Sequence, residues 1–156
     1  MTAPVPPADP APRSTASGPG RVLVAIYGIL ALAATVRGAY QIATDFDEAP
    51  LAYALSLAAG LVYVLATVAL ARGTGRWRTV AWVAVGIELV GVLTVGTLSV
   101  LDAGDFPDAT VWSVYGQGYG YVPLVLPFLG LLWLWRTRPG APGQGAGSRP
   151  DVPAGR

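Results

Sequence analysis

The chain has no histidine, no cysteine and no lysine, and its one methionine is the first residue. Each absence closes off a chemistry. Without imidazole there is no histidine ligand for a b-type haem or for zinc, and no imidazole base. Without thiols there is no disulfide, no thiol relay and no cysteine-held iron–sulfur cluster. That excludes a four-helix membrane oxidoreductase of the thiol–quinone kind. Charge is scarce too: 12% of the 156 residues are charged and 53% are hydrophobic, against about 25% charged in a soluble domain. The deficit argues against a water-soluble fold, and the formal net charge of +1 points to no nucleic-acid partner. No cofactor and no metal site are expected. Ala, Val, Gly and Pro abound and every basic residue is arginine, which fits a high-GC bacterial coding bias.

The hydrophobic residues are gathered in four runs, about 22–44, 51–71, 79–101 and 113–135. Each matches the roughly 20 residues that a helix needs to cross bilayer hydrocarbon. The expected fold is therefore all-α: a four-helix transmembrane bundle over 21–138 in a multi-pass integral membrane protein. Residues 1–20 and 139–156 are rich in Pro, Gly, Ala and Ser and lack apolar periodicity. Such segments bury too little surface to offset ordering entropy, so both are expected to be disordered tails.

Arginine distribution predicts an orientation. Arg13 and Arg21 precede the first run, Arg72, Arg76 and Arg78 fill the second loop, and Arg136 and Arg138 close the fourth run. The first loop (Asp45, Asp47, Glu48) and the third (Asp102, Asp105, Asp108) carry only acids. The positive-inside rule then puts both termini in the cytoplasm and both acidic loops outside the plasma membrane. Aromatic residues fit the same frame, with Trp77, Trp82, Trp133 and Trp135 at one predicted interface and Tyr40, Tyr53, Trp112, Tyr115, Tyr119 and Tyr121 at the other. A rival parse takes residues 1–33 as a signal peptide cleaved after Ala31-Leu32-Ala33. The proline-rich leader and the apolar residues beyond Ala33 oppose it. The six acids of the outer loops show no EF-hand spacing.

Arg37 and Glu88 are the ionisable residues inside the runs. Intramembrane charges face the bundle and take partners, because each costs about 2.5–3.5 kcal/mol at the helix centre on insertion scales. Counting from Arg21, Arg37 lies about 24 Å up its helix; counting from Arg78, Glu88 lies about 15 Å up its own. The offset of about 9 Å makes a direct pair stretched, with a water or a tyrosine hydroxyl between them as the alternative. Arg37 has a second option, snorkelling to the outer headgroups. Glu88 is too short to reach an interface, so it must be protonated, paired or bathed in cavity water.

Helical spacing gives each run one small or polar stripe. These are Tyr27, Ala34, Arg37, Gln41 and Thr44 in the first, and Ala52, Ser56, Ala59, Tyr63 and Ala66 in the second, with Thr67 beside it. The third has Ala81, Ala84, Glu88, Gly91, Val95 and Ser99, and the fourth Gly116, Gly120, Pro123, Pro127 and Gly130. Small residues let helices approach closely in lipid, so these stripes are expected to face inward, packed together or lining a narrow polar cavity. Pro123 and Pro127 predict a kink in the fourth helix. The string Tyr115-Gly116-Gln117-Gly118-Tyr119-Gly120-Tyr121 lacks both the TVGYG filter of potassium channels and the lysine of a phosphate loop. It is expected to be the outer end of that helix.

The pattern from Trp112 to Trp135, WSVYGQGYGYVPLVLPFLGLLWLW, with four spans and an acidic outer loop, resembles uncharacterised small integral membrane proteins of actinobacteria. The resemblance covers the bundle and not the tails, and implies a membrane location without an activity. Small multidrug transporters also have four helices and a membrane carboxylate, but theirs lies in the first span and Glu88 in the third. The expectation is a non-enzymatic structural or interaction subunit, with the lipid bilayer, a homo-oligomer or another membrane protein as partner. The alternative is a small transporter or proton-coupled carrier using Glu88.

Overall fold

The computed structural model describes residues 18–102, 104 and 108–138. The expected tails lie outside the described residues, save that the first helix already begins at Pro19; Asp105 also lies outside them. The described chain is all-helical: α1 (Pro19–Thr44), α2 (Pro50–Arg72), α3 (Arg76–Leu101), a 3-10 segment (Ser113–Tyr119) and α4 (Val122–Arg136). The first three are each long and apolar enough to cross a membrane. The 3-10 segment and α4 together make a fourth candidate span, bent by 98°. Pro19 and Pro50 stand in the first turns of α1 and α2, where a missing amide hydrogen loses no bond. Gly73, at φ 58°, caps α2 in the left-handed conformation that glycine takes without strain.

Successive helices pack side by side: α1 on α2, α2 on α3, and α3 on both α4 and the 3-10 segment, while the closing α1–α4 seam is the slightest. The α1–α2 seam is backbone against backbone. A Cβ on Gly60 would stand 2.7 Å from the amide nitrogen of Thr35, and one on Gly38 2.7 Å from that of Leu57. In lipid, where burying apolar surface gains nothing, such close approach is what holds helices together. Side-chain size is sorted accordingly. Ala34, Ala59, Ala66 and Ala84 are buried, while Ile29, Leu32, Leu61, Val90 and Phe128 face out. The expected stripes run down the inside, except that Thr44 and Gly120 are exposed at helix ends.

The fourth run departs from expectation. Helix does not extend over 113–135; α4 begins at Val122 and its 15 residues reach only about 22 Å. The bend falls at Gly120–Tyr121, ahead of both prolines. Pro123 sits in the first turn, where it starts a helix rather than breaking one, and Pro127 is carried inside α4. The glycine–tyrosine string is not the helix's outer end. Val114, Tyr115 and Gly116 have φ of 48°, 59° and 82°, and this left-handed run turns the chain across the bundle. Positive φ at a β-branched residue is strained; a hydrogen bond from the Val114 amide to Ser99 Oγ, at 2.8 Å, helps to hold it.

Candidate functional site

The centre of the bundle is polar and enclosed. Glu88, halfway along α3, has no exposed surface. The Tyr27 hydroxyl of α1 donates to its Oε2 at 2.6 Å. Oε1 is buried with no hydrogen-bond partner among the described residues. Two observations explain why Tyr27 can stand there. Gly130 of α4 leaves room, since a Cβ would lie 3.1 Å from the hydroxyl. The ring of Tyr63, from α2, packs against it at 6.2 Å and 54°. One carboxyl side chain thus gathers contributions from all four helices.

A second bond closes this core on the side of the acidic loops. Trp112 donates its indole N–H to the Tyr63 hydroxyl at 2.9 Å, and its ring lies over Gly91, where a Cβ would come within 2.6 Å. Gly91 is ten residues from the end of α3, so the ring reaches about 15 Å into the bundle. Trp112 is therefore not an interface residue: it is 5% exposed. The loop carrying it folds inward on a reciprocal pair. The Thr110 amide donates to Ser113 Oγ and the Ser113 amide to Thr110 Oγ1, each at 2.9 Å. The Trp112 amide also donates to Thr110 Oγ1. Side chains that satisfy amides locally let irregular backbone enter an apolar region.

Arg37 does not meet Glu88. It lies at the acidic end, where it donates to Gln41 Oε1 at 3.3 Å and to the Ala109 carbonyl at 3.1 Å. Gln41 donates to Asp108 Oδ2 at 3.3 Å, and the Tyr53 hydroxyl to the same oxygen at 2.8 Å. Arg37 is higher on α1 than Glu88 is on α3, and the loop offers acceptors at its own depth. Tyr53 is buried by this contact rather than lying in an aromatic belt. The acids do not converge: among the described residues no three of them could share a metal ion.

At the opposite end Arg78 ties α3 to α4, donating to the Leu134 carbonyl and, at 3.2 Å, to Thr137 Oγ1. The Leu134 carbonyl is one of those that a helix terminus leaves unpaired. Arg72 lies 4.2 Å from the Trp77 ring and Arg138 5.5 Å from that of Trp82, both within cation–π range.

The residues singled out from the sequence thus divide. Tyr27, Tyr63, Glu88 and Gly91 meet at the core, Arg37 and Gln41 meet in the loop cluster, and Pro123 and Pro127 are buried in α4. The sequence reading missed Trp112, Asp108 and Arg78. A signal existed for the first: Thr110 and Ser113, three apart, flank it in the pattern of a reciprocal side-chain cap. No family model, no curated protein and no solved structure matches the chain.

Proposed function

We propose that this chain is a non-catalytic structural or interaction subunit of a bacterial plasma membrane, with both termini cytoplasmic. The orientation rests on the arginine distribution, and the bacterial setting on composition and on the resemblance to small actinobacterial membrane proteins. The subunit role rests above all on how the interior polar groups are spent. Tyr27 bonds Glu88 from α1 to α3, Trp112 of the loop bonds Tyr63 of α2, and Glu88 is wholly enclosed. Among the described residues, apolar grooves between α1 and α4, on α3 beside Trp112 and along α1 indent the outer surface, and none of these is lined by Glu88. A carrier needs its carboxyl to meet water from both sides in turn; a packing element does not.

The carrier reading keeps one observation in its favour, the unpartnered Oε1 of Glu88. One comparison separates the two. Purified protein is reconstituted in vesicles holding a pH-sensitive dye, and its native mass is measured in mild detergent. The subunit reading expects a defined assembly, and the same slow proton leak from wild type and Glu88→Gln. A flux above that of empty vesicles that Glu88→Gln abolishes would establish the carrier instead.

A further inference from the structure

We propose that the groove between α1 and α4 at the arginine end is a binding site for an anionic phospholipid, with acyl chain in the groove and phosphate on Arg136. The groove has a volume of about 560 Å³ and is lined by Val22 and Ile26 of α1 and by Leu126, Leu129, Trp133 and Arg136 of α4, among others. It follows the seam where the two helices touch least, so a crevice exists there that the tight α1–α2 seam lacks.

Length identifies the occupant. From Arg136 to Leu126 is ten residues, about 15 Å of helix, or half the roughly 30 Å of a bilayer's hydrocarbon. A lipid chain occupies one leaflet and fits that length. The spanning helix of a partner would need a groove along the full thickness.

Charge identifies the headgroup. Six of the chain's arginines are described at this end, and three of them are already engaged. Arg78 is bonded to α4, and Arg72 and Arg138 lie on tryptophan rings. Arg136, in the last turn of α4, has no side-chain partner among the described residues; neither have Arg21 near the start of α1 and Arg76 at the start of α3, but of these three only Arg136 lines the groove. Guanidinium matches phosphate in shape and charge, and basic clefts between membrane helices are where anionic headgroups bind. The other two grooves lack this combination. That on α3 beside Trp112 has no charged residue in its lining, and in that along α1 the one arginine, Arg37, is already bonded to Gln41 and Ala109.

The test compares phosphatidylglycerol with phosphatidylcholine of identical acyl chains. Each is added to delipidated protein in neutral detergent, and bound lipid is counted by native mass spectrometry. Wild type should retain phosphatidylglycerol preferentially, and Arg136→Gln should lower that preference by about fivefold, the effect of one basic residue near a membrane surface. Leu129→Trp, which fills the groove, should abolish retention of phosphatidylglycerol, whereas Val90→Trp, on the lipid-facing side of α3, should not. Equal retention of the two lipids, or a preference that survives both Arg136→Gln and Leu129→Trp, overturns the proposal. So does a wild-type dimer that Leu129→Trp dissociates, since a second copy would then fill the groove.

Discussion

Two polar clusters tie the bundle together, one at its centre and one at its acidic end. The central one has two hydrogen bonds, Tyr27 to Glu88 and Trp112 to Tyr63, with all four residues buried. The acidic-end cluster has more bonds, from Arg37, Gln41 and Tyr53 to Asp108 and Ala109, but three of its members are only half-buried. Bond number and bond weight therefore run in opposite directions. In the core a lost partner leaves a polar group with nothing to replace it. At the edge, headgroups and water offer replacements, and salt screens the charges. The difference teaches that the fold should depend on the smaller cluster.

The largest effect is expected at Trp112, which joins the loop to the core. Trp112→Ala removes a buried ring from over Gly91 and the donor from Tyr63, and should lower stability by about 3–5 kcal/mol, the range for large aromatic truncations. Thermal unfolding in detergent, followed by circular dichroism, measures it. Trp112→Phe keeps much of the ring and loses the N–H, so it should cost about 1–2 kcal/mol, the scale of one interhelical hydrogen bond in a membrane. If the alanine variant melts like wild type, the loop does not seal the core.

Next comes Tyr27→Phe, which takes from Glu88 the one donor it has among the described residues. A loss of about 1–3 kcal/mol is expected. Glu88→Gln should fold nearly as well as wild type, because an amide carbonyl still accepts from Tyr27. In a Glu88→Leu background the same Tyr27→Phe change should cost almost nothing. A double-mutant cycle with no coupling between these positions would show that the 2.6 Å contact contributes nothing to stability.

What was legible in the sequence follows the same divide. The helices α1, α2 and α3 could be read because length, hydropathy and charge placement act locally, and lipid enforces them along the whole helix. Tyr27, Tyr63 and Glu88 shared inward stripes because small and polar residues at helical spacing have few alternatives in a bilayer. The partner of Glu88 was not legible, since depth counting gave only its height and not which neighbour at that height carried a hydroxyl. The fourth run misled for a physical reason. Hydropathy reports that residues 113–121 are compatible with an apolar setting, and it does not distinguish a lipid-facing helix from an irregular segment packed against α3 and α4. The left-handed turn at Val114–Gly116 is set by tertiary contacts, among them the bond from the Val114 amide to Ser99, which no local propensity announces.

The smallest effect is expected at the acidic end, and it sharpens the comparison most. Arg37→Gln removes a charge from inside a helix yet should change global stability by less than about 1 kcal/mol, because its hydrogen bonds lie at the partly exposed rim where water and headgroups replace them. Its effect should be local. The amides of residues 108–113 should exchange hydrogen faster, because the Ala109 carbonyl has lost its donor, while exchange along α2 and α3 stays as in wild type. Tyr53→Phe, acting through Asp108, should do the same more weakly. High salt should narrow the difference between wild type and Arg37→Gln, and should leave the difference between wild type and Tyr27→Phe unchanged, because screening reaches the edge and not the enclosed carboxyl. Should Arg37→Gln prove as damaging as Tyr27→Phe, at any salt concentration, the loop cluster would be part of the core, and the contrast between an essential centre and a replaceable rim would fail.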